Sequence, residues 1–375
     1  MKTLFRTAAI VALLAGAHAH AQERFHLPLL VPITGALALE GQSQRDGALL
    51  ALDALSARSE TGRILRLSHT VIDTGSNPQV AVQAFERAMS AEIRPRAMLG
   101  PIDGNSMLAL LPLAEREKVA LLSVSGTTRL TELGNAQIFR FFPSDAVVKI
   151  AQASYIIEEL RRKKVAIVYQ NTAYGQSGNE QLGKMIEAQG GQVVYRNSVP
   201  VTTKELSGVI AQVRDSGADA VALQLHSGSS ALFVKQAARA GLNLPIVGGS
   251  ALHQPSTAAL LEPSELKGVC AETASAPAAD PALAAFARDF RNRMKAEPDA
   301  FALAAYDAVN AVAAAARSPN PIAETLSKMR FAGLAMTYQS DGRGNMAHDA
   351  IIVCYDGASR TPRIAKRYSS NAPWR

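Results

Sequence analysis

Short apolar runs alternate with amphipathic helical patterns along most of this chain, and that alternation restricts the fold more than any other feature. Strand-like runs fall at 26–31, 65–72, 97–102, 119–124, 165–169, 192–196, 220–225 and 245–248. Between them Leu206, Val209, Ile210 and Val213 recur at helical spacing, and Leu182, Met185 and Ile186 repeat the theme. Continuous apolar strands separated by such helices require parallel sheets covered on both faces. The expected class is therefore α/β and doubly wound. One sheet would need more strands than a single compact unit usually holds, so two Rossmann-like lobes are expected.

The alternation pauses at FRFFPS, 139–144, which marks a first crossing between lobes. A second is expected at ETASAPAADP, 272–281, rich in small residues and proline. Beyond it the pattern is helical through 282–296 and 300–317, where the alanines read as helix propensity. The stretch 335–356 reads as antiparallel strands joined through Asp341-Gly342-Arg343-Gly344. The expected division is a first lobe of 22–141 with 274–332 and a second of 142–273 with 333–375. A three-crossing hinge would join them and leave a cleft between.

Lys2 and Arg6, the apolar run 7–16 and Ala19-His20-Ala21 form a cleavable export signal over 1–21. The apolar run is well short of the roughly 20 residues that span a bilayer. No cysteine lies near the cleavage point, so no lipid anchor is expected. Removing the signal leaves 354 of the 375 residues and lowers the net charge from +7 to +5. That balance does not imply a nucleic-acid partner, because the densest basic run, Arg161-Arg162-Lys163-Lys164, ends an amphipathic segment where cations suit a helix C-terminus. Cys270 and Cys354 are the two cysteines, and the sequence leaves open whether they pair. With so few thiols and scattered histidines no metal is expected, and no cofactor.

The segment KKVAIVYQNTAYGQSG, 163–178, takes an apolar strand into a polar turn bearing Tyr174 and Gly175. Ligands in open α/β sheets bind at the carboxyl ends of strands, which puts Tyr174 at a reading position. Enzyme signatures are missing: no GxGxxG follows the first strand, and there is no GxxxxGK[ST], GxSxG or HExxH. Ser123, Ser125 and Thr127 follow a strand without an evident base nearby. Hydroxyls and free N–H groups in such a place bind a carboxylate without chemistry.

Further motifs occur in order along the chain: Pro32-Ile33-Thr34-Gly35 with Gly41 and Gly47, Asp73 with Pro78 and Ala81, and Gly100-Pro101. They continue with Ser123-Val124-Ser125-Gly126-Thr127, Tyr174-Gly175, and Lys235-Gln236-Ala237 with Gly241. Together they resemble the type I periplasmic solute-binding proteins of ABC importers, in the branch for leucine, isoleucine, valine and related compounds. The resemblance implies two lobes that close on a small solute and dock on a membrane permease with its ATPase, most simply as a monomer. It places Ser125 and Thr127 at the ligand's carboxylate and ammonium, and Tyr174 on the opposing lobe as a cover.

The chain departs from that pattern at four positions. Gly104 stands where a serine commonly helps hold the carboxylate, leaving Asn105 or Ser106 as substitutes. Ser250 stands where an acidic residue often pairs with the ligand ammonium, a contact serine cannot supply. Glu40 and His226 replace aromatic residues, so a more polar pocket is expected. Glu40 and Asp103 each have two readings, a ligand-facing acid or a solvated helix-start carboxylate. Asp73 reads as a brace for the turn before Pro78. The implied function is reversible capture of a small polar solute, an amino acid or related carboxylate or amide. A membrane-receptor sensor and an exported enzyme are the alternatives.

Overall fold

The computed structural model describes residues 24–58 and 66–369, so the expected signal segment lies outside the described residues. Five parallel strands form the first sheet: β1 (Arg24–Val31), β2 (Arg66–Asp73), β3 (Ala97–Leu99), β4 (Ala120–Ser123) and β5 (Ile138–Arg140), in the order β2-β1-β3-β4-β5. The second lobe's parallel strands are β6 (Lys164–Gln170), β7 (Gln192–Val199), β8 (Ala220–Gln224), β9 (Ile246–Gly248) and β10 (Val269–Thr273). A two-stranded ribbon follows, β11 (Arg330–Ala332) with β12 (Thr337–Gln339). Last come β13 (Ala350–Cys354) and β14 (Arg363–Tyr368), antiparallel to their neighbours, completing the order β14-β13-β10-β9-β8-β6-β7.

Apolar side chains on both faces explain the parallel sheets. Residues Phe25 to Val31 of β1 are all buried, as is every residue of β3, β4, β8 and β9. Helices Ala38–Arg58 and Ala300–Ala315 pack together over the first sheet. The alanines of the second helix are a packing device as well as helix formers, since small side chains let the axes approach. At the crossing a Cβ on Gly47 would lie 1.9 Å from Ala302 O, so a larger residue there would force the helices apart.

The first crossing follows β5, before helix Asp145–Ser154 of the second lobe. The second follows β10, which runs into the stretch expected as linker: Glu272 is a buried strand residue and the small-residue segment begins after Thr273. The third falls later than expected. Residues 333–347 do not rejoin the second lobe, because Tyr338, Met346 and Ala347 belong to the first lobe's core. Nor does 335–356 form a hairpin through 341–344; β12 pairs back with β11, and β13 pairs with β10 and β14. Asp307 explains the ribbon's attachment, accepting from Leu334 N, Ala335 N and Tyr338 Oη at 2.9, 2.9 and 3.1 Å. Cys270 and Cys354 stand opposite each other on β10 and β13 and are joined by a disulfide, which resolves the open pairing.

Candidate functional site

The carboxyl ends of both parallel sheets open on one cleft. On the first lobe β4 runs into the loop carrying Ser125 and Thr127, both buried, with Ser125 Oγ donating to Thr127 Oγ1 at 3.3 Å. Arg140 sets the direction of this loop. Its buried guanidinium donates to Gly126 O at 3.2 Å, Thr127 O at 2.6 Å and Thr131 Oγ1 at 2.6 Å. Burial lowers its pKa to about 10, with Asp145, Asp341 and Glu132 acting against the shift, so it stays charged at neutral pH. In a trans peptide the following N–H points opposite to the carbonyl. The Thr127 and Thr128 N–H groups are therefore turned away from Arg140, and Thr128 N–H meets Ser177 Oγ of the second lobe at 3.0 Å.

Helix Gly104–Glu117 begins beside this loop, capped by Asp103, whose Oδ1 accepts from Ser106 N at 2.7 Å. Asp103 Oδ2 and Ser106 Oγ are buried without a hydrogen-bond partner. A Cβ on Gly104 would lie 2.2 Å from Thr127 Oγ1 and 3.3 Å from Ala173 Cβ across the cleft. That crowding explains glycine at this position: a serine would displace Thr127. Asp73 is the brace expected, accepting from Ile33 N, Thr34 N, Thr34 Oγ1 and Gly75 N; the cap of helix Pro78–Met89 is Asn77.

On the second lobe Tyr174 lies in the first turn of helix Ala173–Ala188, behind the Thr172 cap. Its ring stacks on His226 with centroids 5.1 Å apart, and its buried hydroxyl has no partner. Burial, then the carboxylates Glu272, Asp145 and Glu40, push the phenol well above its ordinary range. His226 Nε2 lies 3.3 Å from Thr172 Oγ1. Burial lowers the imidazole to about 4 against the opposing pull of Asp103, so the ring is neutral at neutral pH.

Ser250 is tied to an acid that sequence reasoning missed. Glu272 accepts from Ser250 N at 3.1 Å, Ser250 Oγ at 2.8 Å and Lys149 Nζ at 2.5 Å, all fully or nearly fully buried. Asp145 was also missed, a buried carboxyl raised to about 6 chiefly by burial and further by Glu272, with Lys149, Ser177 and Arg140 opposing. A lone acid in a small-residue stretch and an acid at a helix start gave no sequence signal of a site.

Glu40 is not the solvated helix-start carboxylate of its second reading, because it is buried at the cavity. Its carboxylate is buried and crosses the cleft to accept from Ser227 N at 2.9 Å, at the start of helix Ser227–Arg239. Asn105 makes the matching contact at the other helix, its Oδ1 accepting from Ala173 N at 2.8 Å. With the Thr128–Ser177 bond, these contacts hold the lobes closed.

Ser125, Asp103, Glu40, Tyr174, His226 and Ser250 share the enclosed cavity, with Gly104, Ser106 and Thr127 in the layer beside it. The cavity also has an apolar side: Leu37, Ile102, Val124, Phe142 and Phe301 line its first-lobe wall, and the last two rings stand 5.0 Å apart. Its free volume is about 30 Å³, room for about two waters. A solute therefore enters only as the lobes part. A larger groove of about 770 Å³ lies beside β5, away from both Tyr174 and Ser250. Among the described residues no group of three His, Cys, Asp or Glu is placed to hold a metal, and no helix is long and apolar enough to cross a membrane.

Two α/β lobes closed over a cavity that both of them wall define a two-lobed binding protein of the type I architecture. Residues 25–359 match the family model described as Periplasmic binding protein, and the chain belongs to that family. A leucine-, isoleucine-, valine-, threonine- and alanine-binding protein of Pseudomonas aeruginosa is 23% identical over 337 residues, 88% of this chain and 89% of that protein. Among solved structures, the leucine-binding protein LivK of Thermotoga maritima superposes with a TM-score of 0.82 at 20% identity, covering 92% of this chain and 99% of that one. An R. palustris solute-binding protein in complex with benzoate gives 0.83 at 18% identity, covering 92% and 96%.

Proposed function

We propose that this protein is the periplasmic solute-binding component of an ABC importer, exported through cleavage after residue 21. It captures one small solute between its lobes and delivers it, as a monomer, to a membrane permease and its ATPase. The observation that carries this reading is the cavity walled by both lobes and sealed by hydrogen bonds between them. Closure removes water from the solute and strengthens its polar contacts, and opening at the hinge releases it. Ser125, Thr127 and the start of helix Gly104–Glu117 are suited to a ligand carboxylate, with the Tyr174–His226 stack as the opposing face. Phe142 and Phe301 offer an apolar end.

A thermal-shift panel of amino acids, amides, and aliphatic and aromatic carboxylates tests the reading, because a ligand that binds only the folded state raises its stability. One chemical class should give a saturable shift. A panel with no shift removes the support for solute capture.

A further inference from the structure

Arg140 is fully buried at the end of β5, where the chain leaves the first lobe for its first crossing. All five N–H groups of its guanidinium are used. Nη1 donates to Gly126 O and Thr127 O at 3.2 and 2.6 Å, and Nη2 to Thr131 Oγ1 at 2.6 Å and to Asn345 Oδ1. Nε donates to the same Asn345 oxygen at 3.0 Å. Every acceptor is a neutral oxygen; Asp145, Asp341 and Glu132 act on the charge without bonding it. A guanidinium desolvated for neutral partners is an unfavourable way to fill space, and what it supplies is a fixed direction for each bond.

Two of those N–H groups hold the solute-binding loop, and two others hold Asn345. Asn345 lies on the stretch that leads into the third crossing: Ala347 is still first-lobe core, and β13 opens at Ala350. The backbones are joined as well, Arg140 N donating to Gly344 O at 2.7 Å and Met346 N to Arg140 O at 2.9 Å. Gly344 permits this approach, since its φ is +95° and a Cβ on it would lie 2.1 Å from Ile138 O. Asn345 is fixed in turn: its Nδ2 donates to Asp341 Oδ2 at 2.6 Å, its N–H donates to Asp341 Oδ1 at 3.1 Å, and its Oδ1 accepts from Thr131 Oγ1 at 3.1 Å. Neither Arg140 nor Asn345 lines the cavity.

We propose that Arg140 and Asn345 are positioning residues for solute capture: they mount the loop of Ser125 and Thr127 on the first-lobe ends of the first and third crossings, so that loop and hinge ends move as one body. The proposal rests on the solute-capture reading of the cleft. The loop then meets the solute in one orientation, and affinity depends on side chains outside the cavity.

Calorimetric titration with valine, phenylalanine, propionate and benzoate tests it, together with amide hydrogen exchange of the ligand-free protein. Asn345→Ala removes the acceptor shared by Nε and Nη2. It should weaken binding of the probe that wild type holds by about tenfold or more, and speed exchange over 125–128. Asn345→Asp combined with Asp341→Asn exchanges acid and amide, keeps an acceptor for Arg140 and a donor between the two side chains, and should restore both readouts to within about threefold. Leu55→Ala, a core truncation near the far end of helix Ala38–Arg58, controls for lost stability alone: the melting temperature should fall while affinity and exchange over 125–128 stay within about twofold. If Asn345→Ala does not fold, Thr131→Val decides; it removes one acceptor of Nη2 and should weaken binding about threefold or more, with faster exchange over 125–128. Unchanged affinity and exchange in folded Asn345→Ala or in Thr131→Val, or equal effects in Leu55→Ala, overturn the proposal and leave solute capture standing. If wild type binds none of the probes, solute capture falls and the proposal with it.

Discussion

Replacing Glu40 by alanine removes the acceptor of a buried 2.9 Å hydrogen bond that joins the two lobes. A hydrogen bond to a charged group contributes about 1.5–3 kcal/mol, and a carboxylate at a helix N-terminus adds about 0.3–1 kcal/mol. Desolvation works against both, as the raised Glu40 pKa shows. Taking the low end, about 1.5 kcal/mol, the closed form loses roughly tenfold in population relative to the open one. A ligand held by the closed form then binds about tenfold more weakly in calorimetric titration. Glu40→Gln keeps a carbonyl acceptor and should stay within about threefold of wild type. Ser227→Pro removes the donor instead, since proline suits the first helical position and His226 before it is already extended (φ −68°, ψ 164°). Ser227→Ala controls for the lost hydroxyl, which donates to Gln254 Oε1 at 2.6 Å. Glu40→Ala combined with Ser227→Pro should bind no worse than Ser227→Pro alone. Full additivity, or Glu40→Ala within twofold of wild type, would refute the latch.

Gly104→Ala should push Thr127 aside and meet Ala173, weakening ligand binding by about tenfold or more while the melting temperature moves little; unchanged affinity by titration would show that the crowding is relieved elsewhere. Lys149→Met leaves Glu272 buried without its cation and should cost about 3–5 kcal/mol in chemical denaturation, most of it recovered in Lys149→Met with Glu272→Leu; equal losses in both would contradict the pairing. His226 titrates near 4 in the fold against 6.5 for the free side chain, so its contribution to stability is full above pH 6.5 and is lost as pH falls toward 4. The loss is at most about 3 kcal/mol, and denaturation midpoints measured from pH 7 to 4 should fall less steeply in His226→Asn; parallel profiles would sink this assignment.

Strands with unbroken apolar faces were legible because burial on both sides leaves a continuous run, as in β4 and β8. The three-residue β5, with Arg140 at its end, carries no such signature, yet that arginine orients the binding loop. β10 was hidden because Glu272 and Thr273 open a run of small residues that reads as linker, although both are buried. Ser125 and Tyr174 could be placed because strand ends are predictable positions, Ser250 came only through the family resemblance, and the structure brings all three to one cavity. The contact Glu40 makes across the cleft could not be read, since its partner is a backbone N–H 187 residues away and no side-chain pattern marks such a contact. Asp145 was equally silent, because an acid at a helix start has an ordinary use at the dipole and only burial shows one oxygen unmatched.

Small-angle X-ray scattering, with and without a saturating amount of the panel compound giving the largest thermal shift, tests solute capture by lobe closure most directly. The radius of gyration should fall on ligand addition and rise again when the ligand is dialysed away, since the sealed cavity admits a solute only through an open form. An unchanged scattering profile at full saturation would contradict closure around the ligand.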